Sequence, residues 1–207
     1  MIAGLFAETL RDKLMSIHWV DRYGGLTQLV MNDIVKVPVS ESENLNECFD
    51  NNHYKELIPE GSKEGIVYIE EVTDEDIKKG THGLYSYGQR LRLVAWINLK
   101  AAGYVEYDVK PFWSIYQTLL NEAAPVHLLE GIKIQNITNV KRLKKDDVIN
   151  NVFGRYKYQN DLYALCSYPF GVFAMEFDLI GLINPGVDSS CLPGTEGPAE
   201  TPEDETE

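Results

Sequence analysis

Cysteine is scarce in this chain of 207 residues: Cys48, Cys166 and Cys191 are odd in number and far apart. That spacing argues against a disulfide framework and against a thiolate zinc site, and it fits synthesis in a reducing cytoplasm. Long apolar runs are missing too, and none approaches the roughly 18 residues that a membrane-crossing helix needs. The opening stretch, MIAGLFAETLRDK, has no basic segment ahead of its apolar residues and no cleavage-like site, so no signal peptide is expected. Bases are the minority charge, 19 Lys and Arg against 32 Asp and Glu. Seven acids (Asp188, Glu196, Glu200, Glu203, Asp204, Glu205 and Glu207) follow Asn184 with no base among them. Removing them from the net charge of −13 leaves −6 for the body. Neither value suits a protein that grips nucleic acid by neutralising phosphates.

Chemical signatures are equally sparse. The chain has no G-x-G-x-x-G, P-loop, G-x-S-x-G, H-E-x-x-H or C-x-x-C pattern. His18, His53, His82 and His127 show no ligand spacing and read as surface or boundary residues. Asp74-Glu75-Asp76 has the composition of a cation loop, but an acidic loop tip is the commoner explanation. The sequon Asn136-Ile137-Thr138 has no meaning without a secretory route. No catalytic residue, cofactor or metal site is expected.

What is there is a set of periodic segments, organised around Gln89–Lys100. Leu91, Leu93, Ala95, Ile97 and Leu99 alternate with Arg90, Arg92, Val94, Trp96, Asn98 and Lys100, the pattern of a long strand with one apolar and one mixed face. Phe170–Ile183 repeats the pattern. Phe173, Met175, Phe177 and Leu179 lie on one side, and Val172, Ala174, Glu176, Asp178 and Ile180 on the other. On this reading Phe177 is core, whereas Trp96 on the mixed face belongs to an interface. An amphipathic helix is predicted over residues 2–17, with a strand to Arg22, a hairpin turn at Tyr23-Gly24-Gly25 and a second strand over Leu26–Val39. Pro38 is expected to end that ladder or to lie on an edge. Ser40–Lys63 reads as a long excursion with a helical turn around Tyr54–Leu57, Gly65–Val72 as a strand, and Thr73–Gly83 as a charged loop. Asp108 is placed as the N-cap of a helix ending near Glu122, with Pro111 in its first turn. Leu128–Val140 reads as one strand, Asp146 or Asp147 as the cap of a short helix, and Arg155–Leu165 as a tyrosine-rich hairpin or tongue. The tail beyond Ser189 has a disordered composition unless a partner holds it.

The organisation is α+β: one domain over residues 1–187 with contact loops at about 40–64 and 154–168, then an acidic Gly/Pro-rich tail over 188–207. Glu176 and Asp178, two apart on a strand, share a face. Three readings apply: an acid–base pair, a solvated polar face, or ion pairing with Arg90 and Arg92 within or between subunits. The basic cluster Lys141, Arg142, Lys144 and Lys145 reads as a solvated loop, a nucleic-acid contact or a dock for an acidic partner, such as the tail of a neighbouring copy.

Four stretches carry a resemblance: Tyr54–Glu71 (YKELIPEGSKEGIVYIEE), Arg90–Leu99 (RLRLVAWINL), Phe153–Asp161 (FGRYKYQND) and Tyr168–Leu179 (YPFGVFAMEFDL). With the order of elements, they resemble the tail-terminator and neck-ring proteins of tailed bacteriophages, of the kind found in crAss-like phages that infect Bacteroidetes. The resemblance implies a mostly antiparallel sheet with helices on one side, and a structural virion protein at the head–tail junction. It implies a homo-oligomeric ring of six or twelve copies that contacts portal, connector or tail proteins. DNA would pass through without specific binding, no membrane would be involved, and assembly would occur in the host cytoplasm. Candidate interface residues are then Arg90, Arg92, Trp96, Glu176, Asp178, the Lys141–Lys145 cluster, Arg155, Tyr156 and Tyr158. Two rivals come from other classes. One is a small cytoplasmic enzyme using Glu176 and Asp178, and the other is an adaptor module bound through its acidic tail.

Overall fold

The computed structural model describes residues 2–32, 35–41, 54–57, 59, 61–122, 126–156 and 162–186. Its elements begin α1 (Ile2–Thr9), α2 (Arg11–Met15), β1 (Arg22–Leu26), β2 (Gln28–Asn32), β3 (Val35–Glu41) and β4 (Tyr54–Glu56). They continue β5 (Gly65–Glu71), β6 (Asp76–Lys79), β7 (Tyr85–Asn98), α3 (Lys110–Glu122), β8 (Val126–Leu129) and β9 (Ile132–Arg142). A short α4 (Lys145–Asp147) runs on into a wide π-type turn, Val148–Val152, and a 3-10 turn, Phe153–Arg155. The last two elements are α5 (Leu162–Leu165) and β10 (Phe170–Ile183).

The two strongly alternating segments pair with each other. β7 and β10 are antiparallel over fourteen consecutive positions, from Asn98 opposite Phe170 to Tyr85 opposite Ile183, with no shift of register. Around this spine a curled, mostly antiparallel sheet has the order β1-β5-β7-β10-β9-β8. Only the β1–β5 pair in it is parallel. β7 is long enough to carry two strands on one side, β5 against residues 91–97 and β6 against residues 85–88. A small second sheet, β2-β3-β4, joins β1 to β5. The expected α+β fold is what the structure has.

Both sides of the spine are covered at one end. The odd-numbered face of β7 (Leu91, Leu93, Ala95 and Ile97) packs with Phe173, Met175, Phe177 and Leu179 under α1, α2 and α3, which supply Phe6, Leu14, Ile115 and Leu119, and under Leu10 between the first two helices. The opposite face is not open throughout, and the single-sided expectation is corrected here. Val94, Trp96, Val172 and Ala174 form a second core with Ile66 and Tyr68, closed by Val148, Val152 and Phe153 from the helical segment after β9. Trp96 is 1% exposed; its indole N–H donates to the Leu165 carbonyl at 2.7 Å, and its ring lies 4.9 Å from that of Phe170. It is therefore core and not interface.

Several local expectations change for identifiable reasons. The first helix is interrupted at Leu10, so two helices cover the expected span. Gly24 and Gly25 lie inside β1 and do not turn a hairpin. A Cβ on Gly24 would meet Leu57 at 2.3 Å, and Gly25 has φ +61 at a register irregularity. The glycines serve close approach and a bulge, the alternative use of glycine in a strand. The hairpin is β2–β3 instead, and Pro38 sits within β3 opposite Leu29 without ending the ladder. Tyr54–Glu56 is a strand where a helical turn was expected, and the charged loop after β5 contains β6. The strand expected over Leu128–Val140 is the β8–β9 hairpin, turned at Gly131 with φ +76. Lys144, not Asp146 or Asp147, precedes α4 as its cap, with no side-chain bond. Asp108 stands just ahead of α3 and accepts the Lys110 N–H at 2.9 Å. Leu162–Leu165 is helical, which corrects the second arm of the expected tongue. Tyr158, most of the 40–64 excursion and the tail from residue 187 lie outside the described residues.

The two-sided core gives a direct test. Phe177→Ala and Trp96→Ala should each destabilise the isolated chain by about 3–5 kcal/mol, the usual range for truncating a buried large aromatic. Urea unfolding of the two variants measures this; a Trp96→Ala chain as stable as the parent would remove the second core.

Candidate functional site

The far end of the mixed face is where the charges gather. The register sets Glu70 on β5 opposite Arg92 on β7, and Arg92 opposite Glu176 on β10. Lys141 on β9 follows opposite Glu176, so one row crosses four strands with alternating sign. In an antiparallel pair, residues directly opposite are in reach of each other, and opposite charges there are favourable. The Arg92 guanidinium uses Nε and Nη2 on Glu176 Oε1, at 3.1 and 2.6 Å, and Nη1 on Glu70 Oε2 at 3.4 Å. Arg155 Nη2 reaches the same Glu70 oxygen at 2.6 Å.

Glu70 is the hub of this network. Its other oxygen, Oε1, accepts the Tyr156 hydroxyl, and the Tyr156 and Tyr68 hydroxyls lie 2.9 Å apart. Burial first, and then the Glu70 carboxylate, push the Tyr156 phenol far above its ordinary range, so it keeps its proton. That single proton is committed to Glu70, hence Tyr68 donates to the Tyr156 oxygen. Burial is the largest influence on Arg155 and opposes its charge, but Glu70, Tyr156 and Tyr68 together outweigh it, and the guanidinium holds its proton more tightly than usual. Glu70 thus bonds to a phenol and two guanidinium groups, which is how a buried carboxylate is accommodated.

The next row outward is Arg90 opposite Asp178. Arg90 Nε and Nη2 donate to Asp178 Oδ1 and Oδ2 at 2.7 and 3.2 Å, a bidentate pair. Asn139 Nδ2 adds a third bond to Oδ2 at 2.6 Å. Asn139 has φ +53 and lies where the β9–β10 register shifts, between Lys141 and Thr138. It is a bulge residue, and Asn tolerates that left-handed conformation better than most side chains. The hydrogen bond from Arg90 is the main influence holding the Asp178 carboxyl below its ordinary value.

This geometry selects among the three readings of Glu176 and Asp178. Both are held by the arginines opposite them within one chain, which is the ion-pair reading in its intramolecular form. A general acid requires a raised proton affinity, and the shift at Asp178 runs the other way. Arg90, Arg92, Glu176, Asp178, Arg155 and Tyr156 are brought together here. Glu70, Tyr68 and Asn139 join them and were not singled out from the sequence. The place of Glu70 on the Ile66–Tyr68 side of β5 is a signal that gains meaning only with its partners in view. Among the described residues no group of His, Cys, Asp or Glu is placed to hold a metal ion, and no helix is long and apolar enough to cross a membrane.

The basic cluster divides between two places. Lys141 belongs to the charged row, whereas Arg142, Lys144 and Lys145 edge a cleft of ≈ 380 Å³ at the other end of the spine and the smaller hollow beside it. Phe112, Phe170 and Phe173 line the cleft together with Tyr107, Tyr168, Glu106 and Asp108. Arg142 lies over the Phe112 ring at 4.3 Å, a cation–π contact that fixes the guanidinium at the rim. Tyr107 is 85% exposed and has φ +65. A bulky residue in that conformation costs about 1–2 kcal/mol. Trp113 and Val109, both about half exposed, continue the apolar surface onto α3.

The two arginines of the charged rows differ in burial, and two predictions follow from that. The Arg92 side chain is 13% exposed and its partners Glu70 and Glu176 are 7% and 19%, whereas Arg90 is 47% exposed. Arg92→Met should therefore destabilise by about 3–5 kcal/mol, because it strands buried carboxylates. Arg90→Met should cost far less, as exposed pairs do. Equal losses in denaturant titrations would contradict this order. The Arg90 pair should also be pH-dependent. Asp178 is depressed in the folded state, so its contribution is complete above the ordinary carboxylate value of 3.8 and disappears as pH falls through the lower folded value. The stability gap between the parent and Arg90→Met should accordingly close on acidification below that value; a gap that widens would reverse the assignment.

A scan against models of known protein families finds no match, and a comparison with curated proteins finds no similar sequence.

Proposed function

We propose that this chain is a structural, self-assembling protein of a tailed-phage virion, one copy of a ring at the head–tail junction through which DNA passes. The observation that carries the structural half of the reading is the exposed aromatic surface around the cleft. Tyr107, Trp113 and Tyr168 stand in solvent beside Arg142, Lys144 and Lys145. Aromatic residues and arginine are enriched in protein–protein interfaces, and Tyr and Trp give large contact area with few rotatable bonds. The charged row is a poor candidate for chemistry by comparison, since its carboxylates are occupied by arginines and tyrosines. The virion half rests on the resemblance of four segments to neck-ring and tail-terminator proteins. The acidity of the chain supports it: a lumen lined by like charge lets a polyanion slide, whereas many Lys or Arg contacts would hold it.

The test is compositional. Mass spectrometry of purified particles should recover this chain at a small fixed number of copies, six or twelve for a ring, and electron microscopy should place it at the neck. Particles that lack the chain, while infected cells contain it, would overturn the virion assignment. Purified chain that shows enzymatic turnover lost in both Glu176→Gln and Asp178→Asn would favour the enzyme instead.

A further inference from the structure

The cleft has a chemical complement in the same sequence. Residues 187–207 contain seven Asp and Glu, no Lys or Arg, and three prolines, Pro193, Pro198 and Pro202. Aromatic-lined grooves are a recurring receptor for proline-containing segments, because the pyrrolidine face stacks on a ring and little chain entropy remains to lose. Basic side chains are the receptor for acidic ones. The cleft offers both. Tyr107 and Tyr168 are exposed residues of its lining, Arg142 and Lys145 line it as well, and Lys144 lines the adjoining hollow with them. Neither Lys144 nor Lys145 enters an ion pair among the described residues. Glu106 and Asp108 also line the cleft, and their charge directs an acidic ligand toward its basic residues instead.

Topology favours a neighbouring copy as the source of the segment. The cleft lies at the Phe170–Phe173 end of β10, and the chain leaves that strand at Ile183. At about 3.3 Å per residue these points are roughly 35 Å apart. To fill its own cleft, the segment would have to double back along the whole spine. A neighbour placed head to tail brings its Ile183 end to this cleft directly, and such contacts close into rings when the rotation permits. We propose that the cleft receives the C-terminal segment, residues 187–207, of a second copy of this chain. Its acids would pair with Arg142, Lys144 and Lys145, and its prolines would lie on Tyr168. The proposal rests on the self-assembly proposed above and names the contact that links the copies.

Sedimentation velocity of the full chain, at low salt and over a wide concentration range, tests it by charge reversal. Lys144→Glu with Lys145→Glu should weaken self-association at least tenfold, and so should Glu203→Lys with Asp204→Lys and Glu205→Lys. Both lysines are exposed, so folding is not at stake, and the combined chain should regain association that either set alone loses. Parent chain that associates while neither set changes it would overturn the tail–cleft contact and leave self-assembly standing. Parent chain that stays single at every concentration would overturn both. Acrylamide quenching adds an independent readout, since Trp19 and Trp96 are buried and Trp113 beside the cleft is half exposed. Protection of Trp113 that rises with concentration supports docking between copies. Protection that is independent of concentration and lost on charge reversal would mean docking within one chain, and would overturn the proposal as stated.

Discussion

The uninterrupted fourteen-position pairing of β7 with β10 is the constraint on which everything else depends. A strand alternates its faces residue by residue, so a slip of one position would turn Arg90 and Arg92 into the helix-covered core and bring Leu91 and Leu93 out. A slip of two keeps the faces but misplaces the charges. With Arg92 moved opposite Asp178, Glu176 would stand against Val94, a buried apolar residue, without a guanidinium. The row Glu70–Arg92–Glu176 therefore penalises the slips that hydrophobic pattern alone would tolerate. Specifying register is one of the better-attested uses of partly buried charge.

The same spine explains why its two ends differ. Where Val94, Trp96, Val172 and Ala174 lie, the segment following β9 folds back and supplies Val148, Val152 and Phe153. Where Arg92, Glu176 and Asp178 lie, that cover ends, and the face is finished by ion pairs. Tyr68 and Tyr156 sit on the boundary, with rings in the second core; the Tyr156 hydroxyl is directed to Glu70 and the Tyr68 hydroxyl to Tyr156. A tyrosine suits such a border because its body is apolar and its tip is polar. The cleft opens at the doubly covered end, on the most rigidly supported part of the sheet. Of its lining, Phe170 and Phe173 belong to β10, whereas the exposed Tyr107 and Tyr168 come from the turns at the end of the spine.

What was legible in the sequence follows from how far each signal acts. The spine strands were readable because alternation is local and strong, and the intramolecular pairing of Glu176 and Asp178 with Arg90 and Arg92 stood among the readings because all four sat on mixed faces. Trp96 was misassigned because its neighbours Arg92 and Asn98 made the face look solvated. The cover comes from residues some fifty positions later, which no local window contains. Gly24 and Gly25 were read as a turn because a glycine pair between apolar runs has two physical uses. Only the position of Leu57 shows which one applies. Glu70 was overlooked for the same reason, since an acid within a short apolar strand has no significance until Arg92, Arg155 and Tyr156 converge on it.

The splitting of one flank of β7 between β5 and β6 has a consequence for how the molecule opens. Residues 91–97 are held by β5, and from Leu93 to Ile97 they are roofed on both faces. Residues 85–88 are held by β6, a four-residue strand whose side chains are all exposed. Backbone protection against hydrogen exchange is lowest where few apolar contacts accompany the ladder. The spine therefore loosens from its Tyr85–Ile183 end, whereas the cleft end opens only with the whole domain. Force or strain transmitted through the C-terminal connection arrives at the compliant end of the sheet, and that end can yield without disturbing the geometry of the cleft.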